Sequence, residues 1–146
     1  MSAGLFDLSG KSAVVTGAGA NGGIGHAIAL ALAQAGADVL AADIDLPGAE
    51  QTSAEIQALG RRGLAERCDI SDPPGVEALF AAADRHFARL DILVNVPYAF
   101  PSRVRPHELT LEAWHATLAV SLTGYFLCAQ AALRRMVPQG MGAILN

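Results

Sequence analysis

The chain has 146 residues, 52% of them hydrophobic and 16% charged, with a formal net charge of −4. That is room for one domain with a sizeable core, and the Ala- and Gly-rich composition suits elements covered on two sides, as in layered α/β proteins. The acidic balance gives no electrostatic footprint for nucleic acid or an anionic membrane surface, and the two cysteines, Cys68 and Cys128, form no CxxC pair and leave the four histidines without a metal-ligand cluster, so no nucleic-acid, membrane or metal partner is expected and a reducing, cytoplasmic setting is the simplest reading.

The opening MSAGLFDLSGK lacks a basic start followed by an apolar run, so no export signal is expected. From there the period switches between short β-rich runs and longer helical stretches in the order βαβαβαβαβ. SAVVT (12–16) has the length of a buried strand, and GHAIALALAQAG (25–36) reads as a helix closed by Gly36. DVLAAD (38–43) is the second strand, followed by a helix over about 47–59 that ends at Gly60. LAERCD (64–69) is the third strand, and Asp72 before Pro73 reads as the N-cap and first residue of a helix running to about 88. LDILVN (90–95) is the fourth strand, and VPYAFPSRVRPHE (96–108) is a Pro-rich loop. Residues 110–137 are predicted as one helix ended by Pro138, with GAILN (142–146) as a fifth strand. Helical crossovers require parallel strands, which makes this a doubly wound α/β sheet.

Within the long helix, residues 116–133 are eighteen in a row without a charge, close to the minimum for a membrane span. Ser121, Thr123, Gly124 and Gln130 dilute that run, and a helix packed on two faces is the better reading. Trp114, Leu118, Leu122, Tyr125, Phe126, Ala129, Leu133 and Met136 leave it apolar around most of its circumference, so the sheet alone would not cover it.

The chemistry concentrates in TGAGANGGIG (16–25), a loop with five glycines between the first strand and first helix. Gly17 allows a tight turn, and Gly23 and Gly25 let a pyrophosphate reach the helix N-terminus with its unpaired N–H groups and partial positive charge. Gly17, Gly19, Asn21, Gly23, Ile24 and Gly25 are therefore the candidate cofactor-binding residues of the loop. Asp43, eighteen residues after Gly25 at the end of the second strand, has the spacing of a ribose-binding acid. A 2′-phosphate there would meet like charge, so NAD is expected over NADP; Asp45 is the alternative for the same role. The loop lacks Arg and Lys, and His26 follows Gly25. His107 and His115 have no metal spacing.

Together, TGAGANGGIG, AADID, CDISD, LDILVN and a helix containing W…SLTGYF…M resemble the short-chain dehydrogenases/reductases, along the whole chain. The resemblance implies a Rossmann-type doubly wound parallel sheet, with residues 1–146 as an NAD(P)-binding part interrupted at the fifth strand. It implies that Asp69 and Ile70 lie against the adenine and Asn95 near the cofactor. It also implies that NAD(P) carries hydride for a small alcohol or carbonyl substrate and that the protein is a homo-oligomer. Asp69 has the alternative role of a strand-end cap. In this family a Ser after the fifth strand and a Tyr-x-x-x-Lys perform the acid–base chemistry. Tyr98 and Tyr125 have no Lys four residues on, and the only Lys is Lys11, so the isolated 146 residues are expected to be inactive.

Three features depart from the mainstream pattern. Five residues, not three, separate Gly17 from Gly23, which resembles the enoyl-acyl-carrier-protein reductase branch; Asp43 argues against that branch. NVPY (95–98) replaces Asn-Asn-Ala-Gly, and Ser121 stands where the long helix normally carries an Asn of the active-site water chain, with a helix-packing Ser as the alternative. A non-catalytic nucleotide-binding module is the competing functional class.

Overall fold

The computed structural model describes residues 6–19, 22–99 and 104–146. Its elements are β1 (Ser12–Thr16), α1 (Ile24–Gln34), β2 (Asp38–Asp43), α2 (Leu46–Ala58), β3 (Gly63–Arg67), α3 (Pro73–His86), β4 (Ile92–Asn95), α4 (Leu111–Leu118), α5 (Tyr125–Gln139) and β5 (Ala143–Leu145). A 3-10 turn at Pro106–Glu108 precedes α4, and a π-helical segment, Ala119–Gly124, joins α4 to α5.

The five strands form one sheet in the order β3-β2-β1-β4-β5, every neighbouring pair parallel. This is the doubly wound Rossmann-type arrangement that the sequence predicts. The chain moves outward from β1 through β2 to β3, then returns to place β4 on the other side of β1, so the strand order reverses between β1 and β4. At such a switch point the connections leave in opposite directions and open a crevice at the carboxyl ends of the strands.

Side chains alternate across the pleat and divide the core into two layers. Val14, Leu40 and Leu93 point to the side of α3 and α5, where they meet Leu79, Phe80, Cys128, Ala132 and Met136. Ala13, Val15, Val39, Ala41 and Val94 point to the other side, against Ala29 and Ala33 of α1 and Ala49 and Ile56 of α2. The second layer is built mostly from Ala and Val, so its helices sit close to the sheet.

Most predicted boundaries hold within two residues, and three details differ. The third strand stops at Arg67 rather than residue 69. Cys68 N–H still bonds the Asp43 carbonyl at 2.9 Å, but the Asp69 carboxylate takes Ser71 N–H at 2.9 Å and the Ser71 hydroxyl at 2.7 Å, a local turn that competes with the ladder. The predicted single helix over 110–137 is interrupted by the π-helical segment. Pro138 does not end it: α5 runs on to Gln139 and stops at Gly140, whose φ of +71° is open to glycine. Pro138 removes one hydrogen bond on the exposed side of the last turn, whereas the left-handed Gly140 redirects the chain. Gly140 N–H bonds the Val137 carbonyl at 3.1 Å and Met141 N–H the Met136 carbonyl at 3.3 Å.

At the amino-terminal edge of the sheet, Asp91 is buried and gathers donors from the start of β1 and the segments that lead into β1 and β4. It accepts from Ser12 N–H at 3.1 Å, Lys11 Nζ at 3.3 Å and Arg89 Nε at 3.0 Å. Burial pushes its carboxyl up, but these hydrogen bonds and the Arg89 charge outweigh it and hold the group below the ordinary carboxylate value. The only lysine is thereby committed to the edge opposite the glycine-rich loop. A depressed carboxyl contributes stability above its unfolded range and loses it as pH falls through its folded value. Asp91→Asn is expected to lower the unfolding free energy by about 2 kcal/mol at neutral pH and by less in acid, where the parent carboxylate is itself neutralised. Denaturant unfolding at both pH values checks this, and an equal deficit at both would contradict it.

Candidate functional site

The opposite, carboxyl-terminal edge is assembled by backbone passing backbone. Leaving β1, the chain turns at Gly17 (φ +74°), and α1 begins so close behind that a Cβ on Gly25 would lie 2.1 Å from the Gly17 carbonyl oxygen. A Cβ on Gly17 itself would lie 2.7 Å from the Pro97 nitrogen, so the segment after β4 packs on the same turn. Gly23 caps α1 in extended backbone with no side-chain hydrogen bond, and the first turn contains no acidic residue. The leading N–H groups and the positive end of this eleven-residue helix are thus left for an external anion.

Carboxylate and hydroxyl groups from the neighbouring unit hold the loop. Asp43 Oδ2 accepts from Gly19 N–H at 2.8 Å, and its Oδ1 accepts from Asp45 N–H at 3.0 Å. Asp45 caps α2 with its backbone, and a Cβ on Gly48 in the first turn of α2 would lie 1.9 Å from the Gly19 carbonyl oxygen. The Thr52 hydroxyl, fully buried on α2, donates to the Ala18 carbonyl at 2.6 Å. His26 is buried with Nδ1 2.9 Å from Thr52 Oγ1 and Nε2 3.3 Å from Glu55 Oε2. It therefore faces inward and offers no cation at the loop's outer rim. Thr52 and Glu55 belong to no loop motif, and only their i, i+3 spacing on a helix that packs against the loop could have suggested them.

Of the residues singled out from the sequence, Gly17, Gly19, Gly23, Ile24, Gly25 and Asp43 come together here; Asn21 lies outside the described residues. Ile24 is exposed at the mouth of the loop. Asn95 ends β4 beside Thr16, buried, with its Oδ1 accepting from Thr16 Oγ1 at 3.0 Å and its Nδ2 donating to Asn146 Oδ1 at 2.8 Å. This polar clasp ties the ends of three parallel strands. Asp69 is exposed in its turn after β3, but the Ile70 side chain is only 4% exposed and fills the space that Gly124 leaves open, where a Cβ would lie 2.7 Å from Ile70 Cγ1. Any ligand contact from Ile70 would run through its backbone. Ser121 sits half-buried in the π-helical segment, and one residue beyond that segment Tyr125 donates its hydroxyl to the Pro97 carbonyl at 2.9 Å.

Other chemistries find no support among the described residues. No group of three or more His, Cys, Asp or Glu could hold a metal. Burial pushes the Cys68 thiol up to about 11 and the Cys128 thiol up to about 12, so both are neutral and poorly nucleophilic. The stretch Leu111–Gln139 is long and apolar enough to cross a membrane by length and composition, but Cys128, Ala131, Ala132 and Met136 seat α5 in the core. Its other face leaves Leu122, Phe126, Leu133 and Val137 exposed, the last three lining an open apolar groove of about 540 Å³.

A family model described as short chain dehydrogenase matches residues 11–146. The chain is 44% identical over 144 residues to a D-threitol dehydrogenase of Mycolicibacterium smegmatis, covering 97% of this chain and 53% of that protein. It is 37% identical over 142 residues to glucose 1-dehydrogenase 2 of Bacillus subtilis, covering 96% and 54% respectively. The chain thus spans about half the length of these curated relatives. Among solved structures it superposes on a short-chain type dehydrogenase/reductase from Mycobacterium marinum with a TM-score of 0.89 at 38% identity, over 99% of this chain and 58% of that one.

Two glycines of the loop should respond differently to a methyl group. Gly22 has φ +74° but open space around it, so Gly22→Ala should cost only the left-handed penalty of about 1–2 kcal/mol. Gly25→Ala forces two backbones apart and should cost more, about 2–3 kcal/mol. Thermal unfolding of both variants checks the order, and equal losses would contradict the close approach at Gly25.

Proposed function

The chain belongs to the short-chain dehydrogenase family, and from that premise we propose that it is the NAD-binding part of an oxidoreductase acting on a small alcohol or carbonyl compound. The observation that carries this reading is the uncapped N-terminus of α1, which opens behind a loop made almost entirely of backbone and has Asp43 at its rim. A dinucleotide needs those elements: N–H groups for the pyrophosphate, close backbone approach, and an acid for the adenosine ribose. In this reading Gly17, Gly19, Asn21, Gly23, Ile24 and Gly25 flank the pyrophosphate. Asp43 takes the ribose hydroxyls, Asp69 and the Ile70 backbone border the adenine, and Asn95 lies at the nicotinamide end. When bound, the dinucleotide supplies the hydride acceptor or donor.

The described part of this chain binds and orients. Asp43 keeps acceptor capacity beyond its two backbone bonds, and its charge disfavours a 2′-phosphate. Pro97, held by Tyr125, braces the Gly17 turn and fixes the floor of the crevice. The acid–base groups that protonate or deprotonate the substrate oxygen, a Ser and a Tyr-x-x-x-Lys, belong in this reading to a part of the protein beyond these 146 residues. The exposed row of Leu122, Phe126, Leu133 and Val137 supports association with a second copy of the protein. A cytoplasmic enzyme is the setting that fits.

Isothermal titration with both dinucleotides tests the cofactor assignment. NAD should bind at least about tenfold more tightly than NADP, the consequence of one like-charge contact. Asp43→Asn keeps an acceptor for Gly19 N–H while removing the charge, so it should narrow the ratio several-fold. Equal affinities in the parent would remove Asp43 from the account.

A further inference from the structure

Thr52 stands where three acceptors compete for one proton. Its hydroxyl lies 2.6 Å from the Ala18 carbonyl, 2.9 Å from His26 Nδ1 and 3.1 Å from the Gly48 carbonyl. The Gly48 carbonyl is the i−4 acceptor within α2, which the helical ladder already serves. The shortest contact assigns the hydroxyl proton to Ala18, inside the glycine-rich loop. Thr52 Oγ1 must then accept from His26, so Nδ1 carries a proton. The other ring nitrogen faces Glu55 at 3.3 Å, an arrangement that is favourable only if Nε2 is protonated too. The doubly protonated ring satisfies all three partners at once.

Loss of one proton breaks that accounting. If Nε2 gives it up, a buried lone pair faces a carboxylate. If Nδ1 gives it up, the ring becomes an acceptor and draws the Thr52 proton away from the Ala18 carbonyl. His26 is only 7% exposed, so water cannot absorb the conflict. Glu55 on α2 is the one ionised group within ion-pairing distance of the ring among the described residues. Asp43, the carboxylate that holds the loop from β2, is engaged by the Gly19 and Asp45 N–H groups.

We propose that His26 is a positioning residue for dinucleotide binding, whose protonated ring commits the Thr52 hydroxyl to the Ala18 carbonyl and so holds the glycine-rich loop in its binding conformation. The proposal rests on the nucleotide-binding reading above and extends it: affinity is coupled to pH through a residue that does not touch the ligand.

The test is titration of the full-length protein with NAD between about pH 6 and 8.5, where histidine changes charge, in the parent and in His26→Gln and Glu55→Gln. Parent affinity should fall by about fivefold across that range, the equivalent of one ordinary hydrogen bond. In His26→Gln the profile should be flat. Glu55→Gln alters a partly exposed position and leaves the core intact; it removes the carboxylate that faces Nε2 at 3.3 Å, so its profile should differ from the parent's. A merely structural role for His26 would lower stability without changing these profiles. A pH-independent parent, or an unmoved Glu55→Gln profile, overturns the proposal while leaving the nucleotide site standing. Absence of NAD binding at every pH overturns both.

Discussion

Between Gly17 and Gly25 the backbone passes itself at a distance that no side chain survives, and the rest of the site depends on that crossing. Because a Cβ on Gly25 would sit 2.1 Å from the Gly17 carbonyl, α1 can start directly against the end of β1. Its N-terminal N–H groups then face the crevice where the strand order reverses. The neighbouring β-α unit reinforces the crossing three times: Asp43 grips Gly19 N–H, Gly48 lets α2 lie against the Gly19 carbonyl, and Thr52 bonds the Ala18 carbonyl. A loop with almost no side-chain bulk has few contacts of its own. Its conformation is therefore set from outside, by β2 and α2, and a preorganised loop loses little entropy on binding.

The two edges of the sheet divide the work. At the amino-terminal edge, charge is used for stability: Asp91 ties Lys11, Arg89 and the start of β1 together. At the carboxyl-terminal edge, Thr16, Asn95 and Asn146 close the ends of β1, β4 and β5 with neutral hydrogen bonds. At this second edge, the first turn of α1 carries no acidic residue, which leaves the positive end of that helix unopposed for an anion. The outer face of α5 is a third surface, where large apolar side chains stand in solvent.

Much of this was legible in the sequence because the signals are local. Apolar runs of strand length, Gly36 after the first helix and Asp72-Pro73 before the third each act within a few residues, and all three recur in the structure. The glycine loop and Asp43 were legible by spacing. What escaped depends on contacts between distant residues or on competition between nearby ones. His26 follows Gly25 in the sequence with no sign of the Thr52 and Glu55 contacts from α2 that bury it. Nothing in the sequence marks that Gly124 makes room in the core for the Ile70 side chain. Pro138 reads as a helix stop because its ring removes a hydrogen bond, but the left-handed Gly140 two residues later is the stronger signal. The π-helical segment has no sequence mark that we can identify; it places Ser121 and leads into Tyr125, whose hydroxyl reaches Pro97.

The central claim is that the crevice at the carboxyl end of β1 and β4, framed by the glycine crossing, is where the dinucleotide binds. The most direct measurement is the backbone amide NMR spectrum of isotope-labelled protein with and without NAD. The account predicts that the largest shifts fall on residues 17–19 and 22–26, on 43–45 and on 95–98, while the Lys11–Asp91 edge and the outer face of α5 stay unperturbed. Shifts centred on Phe126, Leu133 and Val137, or on the Asp91 cluster, with the loop unchanged, would contradict it.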